Sequence, residues 1–133
     1  MKVFVSGQLG EIAEVRRVFA LLKDAGHTIT HDWTSTDGFL DTPRAKLDNK
    51  PESARRAEAD IQGVLDCDVY ILLSDNKSVG KGMYVELGAA LALKQSGKDI
   101  RVFVVGPMNH LTLFYLHPDV THFLTIESLL EQI

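Results

Sequence analysis

Short apolar runs alternate along this chain with segments whose apolar positions recur every three or four residues. The first pattern is typical of buried strands and the second of amphipathic helices. Strands are predicted at residues 2–6, 27–30, 68–73, 100–105 and 120–125. Helices are predicted at residues 11–25, 53–65, 82–95 and 128–133. The polar stretch 32–49 is predicted to be one long loop of the kind that often forms a lid or a binding loop, and the stretch 106–117 to be irregular with one helical turn.

The order of these elements indicates an α/β fold. Strands that alternate with helices favour a parallel sheet with right-handed crossovers. The continuous apolar run Val-Tyr-Ile-Leu-Leu at 69–73 is typical of a strand covered on both faces. We therefore predict a single domain, residues 1–133, that forms a Rossmann-like (flavodoxin-like) three-layer sandwich with about five parallel strands. In such sheets ligands bind beyond the carboxyl ends of the strands.

Composition narrows the class of protein. The chain has 133 residues, 45% of them hydrophobic, and a formal net charge of −4. It therefore lacks the basic footprint of a nucleic-acid-binding protein. The single cysteine, Cys67, precedes a strand and is predicted to be a small buried residue. No signal peptide is visible and no apolar run approaches about 20 residues, so we expect no membrane partner and a cytoplasmic location.

The segment 53–65 carries an acidic residue on an apolar helical face. Residues spaced three and four apart on a helix are neighbours, which places Asp60 among apolar side chains. These are Ala57, Ile61 and Val64. Asp60 is therefore expected to face inward.

Glu86 interrupts a second apolar face in the same way. Its predicted neighbours on the helix are Ala89, Ala90 and Leu93. We expect Glu86 at the first turn, where the positive end of the helix dipole favours the ionised form. Since a buried ionised carboxylate is costly unless paired, two such acids suggest a functional site. The alternative is that each acid has a capping or salt-bridge role.

Paired carboxylates in one crevice suit glycosidic-bond chemistry. One attacks or stabilises an oxocarbenium-like centre, and the other handles a proton. The competing interpretation is a hard cation bound by Asp60, Asp75 and Glu86. The five histidines are dispersed, and neither His-x-x-His nor Cys-x-x-Cys spacing is present. The sequence therefore predicts no metal site and no cofactor.

Two segments that follow strands are candidates for substrate binding. Ser6, Gly7 and Gln8 end the first strand in a turn that partly matches a phosphate-binding turn, without the full G-x-G-x-x-G pattern. Trp33 follows the second strand, where it either stacks on a base or caps the core.

The glycine-rich loop before the third helix is the other binding candidate. Ser78, Gly80, Lys81 and Gly82 present backbone N–H groups that suit a phosphate or a sugar. The alternative is a plain strand-to-helix turn.

Three stretches of the chain together carry a family resemblance. They are 58–64 (Glu-Ala-Asp-Ile-Gln-Gly-Val), 68–70 (Asp-Val-Tyr) and 80–90 (Gly-Lys-Gly-Met-Tyr-Val-Glu-Leu-Gly-Ala-Ala). With the opening strand and its small-residue turn, they resemble the nucleoside 2-deoxyribosyltransferase-like superfamily. That group also contains N-glycosidases that cleave deoxynucleoside or pyrimidine monophosphates.

This resemblance implies roles for both acids. Glu86 is the nucleophile that attacks the anomeric carbon, and Asp60 binds a sugar hydroxyl or carries the proton to the departing base. In the family an aromatic residue of the first strand often orients the nucleophile. The matching residue here is Phe4, which lacks a hydroxyl, so Tyr84 is the candidate substitute.

The resemblance also bears on phosphate binding and assembly. Ser78 stands where nucleotide hydrolases bind the 5′-phosphate with a serine, whereas transferases carry an acid there. The arginine that those hydrolases have after the first glycine is absent, and Lys81 is the candidate for the missing positive charge. Family members are usually dimers or larger. The expected contacts are the cluster Phe114, Tyr115 and Leu116, or the helix that starts at Gly82.

Two functions from different classes remain open. The first is an enzyme that cleaves or transfers the N-glycosidic bond of a (deoxy)nucleoside or nucleoside 5′-monophosphate. The second is a non-catalytic nucleotide-binding or sensing module on the same fold. Cleavage of the nicotinamide bond of NAD is a third reading, without a dinucleotide fingerprint behind it. The base, the sugar, the need for phosphate and the acceptor all stay open.

Overall fold

The computed structural model describes residues 1–35 and 42–133. Within these residues, five parallel strands form one sheet in the order β2-β1-β3-β4-β5. The strands are β1 (Lys2–Ser6), β2 (Thr28–Ile29), β3 (Val69–Leu73), β4 (Arg101–Val105) and β5 (Val120–Phe123). The helices are α1 (Ile12–Asp24), α2 (Pro43–Asp48), α3 (Lys50–Asp66), α4 (Gly82–Gln95) and α5 (Ile126–Leu130). Two 3₁₀ turns lie at Leu9–Glu11 and Leu113–Leu116.

This strand order is the flavodoxin-like one, which confirms the predicted fold class. Because the chain builds outward from β1 in both directions, the topological switch point lies between β1 and β3. The ligand crevice of such a sheet is expected at the carboxyl ends of these two strands.

The pleat of β1 sends its side chains to two different cores. Val3 and Val5 pack with α1 and α5 on one face of the sheet. Phe4 packs with α3 and α4 on the other face, in the cluster that also holds Tyr70. Since side chains alternate along a strand, Ser6 faces the same side as Phe4. The last residue of β1 is therefore aimed at the helices that carry the two acids.

The predicted loop 32–49 is wrong in part, because residues 43–48 form α2. The Thr42 hydroxyl accepts a hydrogen bond from the Ala45 N–H at 3.1 Å, and Pro43 occupies the first turn. A capping side chain followed by proline starts a helix locally even where the apolar pattern is weak. Residues 36–41 of the predicted lid lie outside the described residues.

Two helices, α3 and α5, also start earlier than predicted. Helix α3 begins at Lys50 instead of residue 53, with Pro51 in its first turn. Helix α5 begins at Ile126 instead of residue 128, because the Thr125 side chain accepts from the Ser128 N–H. The single helical turn expected within 106–117 is confirmed at Leu113–Leu116.

Cys67 is fully buried, as predicted. Its Sγ donates to the Val64 carbonyl, and burial raises the pKa of the thiol to about 11. A thiol in this state is a small apolar core residue. In the described part of the chain, no helix has both the length and the apolar character needed to cross a membrane.

Close packing of α3 on β1 gives a test of the fold. A Cβ added at Gly63 would lie 2.8 Å from the Phe4 ring and 2.9 Å from the His31 Cβ. We expect Gly63→Ala to destabilise the protein by roughly 1–3 kcal/mol, because neither neighbour has room to move. The measurement is the free energy of unfolding in urea.

The matched control is Gly88→Ala on α4. No atom lies within 4 Å of a Cβ at Gly88. Alanine there is expected to stabilise the helix by about 0.5–1 kcal/mol. Equal effects of the two substitutions would contradict the packing argument.

Candidate active site

Glu86 lies on α4, where its carboxyl group reaches back to the end of β1. The residue is only 8% exposed. Its Oε1 accepts a hydrogen bond from the Ser6 hydroxyl at 2.7 Å. Two residues 80 positions apart in sequence therefore meet at the predicted switch point of the sheet.

The surroundings of Glu86 favour its protonated form. The pKa of Glu86 is raised to about 8, mainly by burial; the Ser6 hydrogen bond lowers the pKa, and the negative charge of Asp60 adds to the rise. The expectation that the helix dipole holds Glu86 ionised is wrong. Glu86 is the fifth residue of α4, beyond the first turn, and the dipole effect fades within that turn.

Asp60 lies on α3 and is paired with a histidine. Its Oδ1 is 3.3 Å from Nε2 of His31, and the two side chains are 33% and 29% exposed. Burial raises the pKa of Asp60, while His31 and Arg56 pull it down. The pair is open to solvent, in contrast to the buried Glu86.

The helical face predicted for Asp60 is wrong in part. Ala57 and Ile61 are exposed, whereas Gly63 and Val64 are buried. Helix α3 is rotated from the predicted face because Gly63, its smallest residue, allows close contact with Phe4. Asp60 stays half-buried at the edge of this contact.

Tyr70 on β3 completes the surroundings of Glu86 and was missed by the sequence interpretation. It is fully buried, and its hydroxyl donates to Ser6 Oγ at 2.7 Å, with the Met83 carbonyl at 3.1 Å. The ring stacks on Phe4 with centroids 6.1 Å apart. The aromatic hydroxyl that Phe4 lacks is thus present on the neighbouring strand.

Tyr84 does not take that role. Its hydroxyl has no hydrogen-bond partner among the described residues, so it does not bind Glu86. Its ring packs against Tyr115 at 6.2 Å. Tyr84 therefore belongs to the apolar layer beside the site, which removes it as an orienting residue.

The loops that follow β1 and β3 are joined by Gln8. Its Nε2 donates to Ser78 Oγ at 2.9 Å, and its Oε1 accepts from the Gly10 N–H. Gly80 is buried beside Met83, and a Cβ there would collide with the Met83 side chain. The two loops predicted to bind substrate thus touch each other at the carboxyl edge of the sheet.

Trp33 lies over the same edge. Its Nε1 donates to the Val5 carbonyl at 2.7 Å, and the half-buried ring packs on both cores. A Cβ added at Gly7 would lie 3.7 Å from this ring. Trp33 therefore caps the core and also borders the turn after β1. Stacking of a base on its ring stays a prediction.

The remaining predicted residues lie at the start of α4. Lys81 and Gly82 are exposed. Within residues 1–35 and 42–133, the Lys81 side chain forms no hydrogen bond or ion pair. A positive charge is thus present next to the loop, without a fixed position.

The cation interpretation is wrong for the three acids it named. Asp75 lies on the loop after β3, where its carboxylate is 3.4 Å from Asn109 Nδ2. Across the described part of the chain, no group of three histidine, cysteine or acidic side chains is arranged to hold a metal ion. Asp75 instead lines a cavity of about 190 Å³ together with residues of α1 and α5, and Glu86 is not among its lining residues.

His31 and Tyr70 are the site residues that sequence reasoning did not assign. His31 lies two residues after the end of β2, and Tyr70 lies inside an apolar run that predicts only a core strand. The single available signal for His31 was its position at a strand end, beside the candidate Trp33. No local signal identified Tyr70, because its partner Ser6 is 64 residues away.

Comparison with known proteins points to one fold. No family model and no curated protein matches the chain. Among solved structures, the CMP N-glycosidase BcmB of Clostridium botulinum is 17% identical, with a TM-score of 0.57, over 99% of this chain and 97% of that one. The 2-deoxyribosyltransferase of the psychrotolerant bacterium Bacillus psychrosaccharolyticus is 18% identical, with a TM-score of 0.65, over 97% of this chain and 90% of that one. The chain therefore has the fold that these two proteins share, as the resemblance to nucleoside 2-deoxyribosyltransferase-like proteins implied.

Proposed function

We propose that this protein is an enzyme of the nucleoside 2-deoxyribosyltransferase-like group that cleaves or transfers the N-glycosidic bond of a (deoxy)nucleoside or nucleoside 5′-monophosphate. The observation that carries the proposal is the buried Glu86 carboxyl group, held by Ser6 and flanked by Asp60 at the switch point. Two neighbours of the same fold are an N-glycosidase and a 2-deoxyribosyltransferase, which supports this chemistry.

Glu86 is the proposed nucleophile. Its carboxylate attacks the anomeric carbon, the C–N bond breaks, and the electron pair of that bond leaves with the base, which takes up a proton. Water or a second base then attacks the glycosyl ester and releases Glu86. With water the overall reaction is hydrolysis, and with a second base it is transfer.

The two acids are suited to different steps. Glu86 is largely buried, so its charge, once formed, is poorly solvated and reactive toward a cationic sugar centre. Asp60 is half-open and paired with His31, which gives it access to a proton that the leaving base requires. His31 is the partner that keeps this proton available beside Asp60.

The binding loops supply recognition in this proposal. Gly7 and Gln8 of the first loop and Ser78, Gly80 and Gly82 of the second are the proposed substrate contacts, with Lys81 available to a 5′-phosphate. Ser6 is fully buried and contributes by holding Glu86. Trp33 offers a ring face to the base, next to Gly7. Tyr84, near the start of α4, stays among the proposed substrate-binding residues.

Base release tests the proposal directly. Ribo- and deoxyribonucleosides and their 5′-monophosphates are incubated at pH 8.5, where Glu86 is largely ionised, and free base is measured by chromatography. We expect release from one substrate class, reduced about 10³-fold or more in Glu86→Gln because the nucleophile is gone.

The control for this assay is Glu131→Gln, an exposed acid of the last turn. It should release base at the wild-type rate. If no substrate releases base, even with a second free base offered as acceptor, the binding-module function takes precedence. The neutral form that burial gives Glu86 near pH 7 would be compatible with a binder.

Glu86 is also expected to lower the stability of the folded protein. Its pKa is about 8 when folded against 4.5 in an unfolded chain, so between these values the unfolded chain gives up a proton that the folded protein keeps. Stability therefore falls as pH rises from 4.5 to 8. We expect Glu86→Gln to stabilise the protein by roughly 2–4 kcal/mol at pH 8 and by nearly nothing at pH 4.5.

Urea unfolding at the two pH values measures this difference. Glu131→Gln serves again as the reference, with no pH-dependent gain expected from an exposed acid. A Glu86→Gln variant whose gain is the same at both pH values would show that the carboxyl group is not desolvated in the folded state.

Self-association is the remaining part of the proposal. Tyr115 is buried and cannot form a subunit contact, but its neighbours Phe114 and Leu116 are 53% and 65% exposed. Val85 on α4 is 64% exposed. We expect these apolar surfaces to be covered by a second copy of the chain. Light scattering at micromolar concentration should give a dimer or larger, and Val85→Glu should shift it toward monomer; a wild-type monomer would contradict the expectation.

A further inference from the structure

Glu86 is connected to the interior of the sheet by a chain of two hydroxyl groups. Ser6 donates to Glu86 at 2.7 Å, and Tyr70 donates to Ser6 at 2.7 Å. Ser6 and Tyr70 are both 0% exposed, so water does not compete for either hydroxyl. The three groups come from α4, β1 and β3, and none is adjacent to another in sequence.

When Glu86 is ionised, the number of available protons determines which group donates in each of these hydrogen bonds. Each hydroxyl has one proton to donate. The Ser6 hydroxyl must donate its one hydrogen bond to the carboxylate. The Ser6 oxygen can then accept a hydrogen bond from Tyr70. The Tyr70 hydroxyl is closer to Ser6 Oγ than to the Met83 carbonyl, which is 3.1 Å away. Donation from Tyr70 polarises the Ser6 O–H and strengthens its bond to the charge.

The Met83 carbonyl allows the same hydroxyl groups to form their hydrogen bonds in the opposite direction. When Glu86 is protonated, it can donate to Ser6, Ser6 to Tyr70, and Tyr70 to the Met83 carbonyl. Every buried hydroxyl then still has an acceptor, and only O–H bonds rotate. The carboxyl group therefore keeps one position through protonation and ionisation, as a preorganised nucleophile requires.

We propose that Tyr70 is a positioning residue that acts on Glu86 only through Ser6. Its hydroxyl replaces the aromatic hydroxyl that Phe4 on the first strand lacks. This inference rests on the proposed role of Glu86 as nucleophile. The hydroxyl groups of Ser6 and Tyr70 favour the charged form of Glu86 over the neutral form, because hydrogen bonds to an ionised acceptor are about twice as strong as neutral ones.

Other groups near Glu86 act by a different route. Asp60 on α3 acts on Glu86 through its charge alone, and His31 and Arg56 act on Asp60. The described hydrogen bonds of the Ser6 and Tyr70 hydroxyl groups go to Glu86, to each other and to the Met83 carbonyl. The effect of Tyr70 is therefore separable from theirs by its dependence on Ser6.

The test is a double-mutant cycle on the titration of Glu86. The ¹³C signal of the Glu86 carboxyl group, assigned by its loss in Glu86→Gln, is followed with pH in the wild type, Ser6→Ala, Tyr70→Phe and the double variant. We expect Ser6→Ala to raise the pKa of Glu86 most, and Tyr70→Phe to raise it less. In the Ser6→Ala background, Tyr70→Phe should have no further effect.

Tyr115→Phe is the matched control. Tyr115 is 2% exposed and lies in the same core cluster as Tyr70, but its hydroxyl forms no hydrogen bond with Ser6 or Glu86 among the described contacts. Removing it should leave the titration of Glu86 unchanged. An unchanged titration in Tyr70→Phe, or an equal change with and without Ser6, would overturn the proposal.

Folding failure and lack of activity do not block this test. If Tyr70→Phe does not fold, Tyr70 is replaced by 3-fluorotyrosine, whose phenol is a stronger hydrogen-bond donor. This replacement should lower the pKa of Glu86 when Ser6 is present but not in the Ser6→Ala background. If base release is found, kcat/KM at pH 6 should fall about threefold in Tyr70→Phe, with little change above the pKa of Glu86. If no base is released, the carboxyl titration still decides on the hydroxyl chain while the proposed reaction fails.

Discussion

The contact between Ser6 and Glu86 is the interaction on which the site depends. It joins the carboxyl end of β1 to α4 and holds a carboxyl group that is almost fully buried. The alternation of β1 makes this possible, since the pleat that buries Phe4 also aims Ser6 at the same helices. Fold and site thus share one geometric cause at the switch point of the sheet.

Burial sets the protonation of Glu86 more strongly than any single neighbour. Its pKa is about 8 because desolvation raises the value by more than the Ser6 hydrogen bond lowers it. A carboxyl group in this state destabilises the folded protein near neutral pH, where a neutral amide would fit better. Retaining a group that lowers stability is typical of sites in which chemistry, not packing, determines the residue.

The two acids differ because their surroundings differ. Glu86 is closed off and connected to hydroxyl groups, whereas Asp60 is a third exposed and paired with His31. Such a division suits the proposed roles, in which Glu86 forms the bond to carbon and Asp60 exchanges a proton. Gln8 and Ser78 add a polar contact between the flanking loops, which holds the two walls of the crevice together.

Local patterns determined much of this protein. Alternation of apolar runs and amphipathic segments was enough for the α/β class, the five strands and the inward position of Glu86, because periodicity reports burial directly. The helix at 43–48 was missed, since its start depends on the cap at Thr42 and not on an apolar stripe. Only tertiary structure decided the rest. The rotation of α3 follows from the contact of Gly63 with Phe4, and the pairing of His31 with Asp60 joins two segments of the chain. Tyr70 reaches Glu86 through a residue 64 positions away, and no local sequence pattern records a contact of that kind.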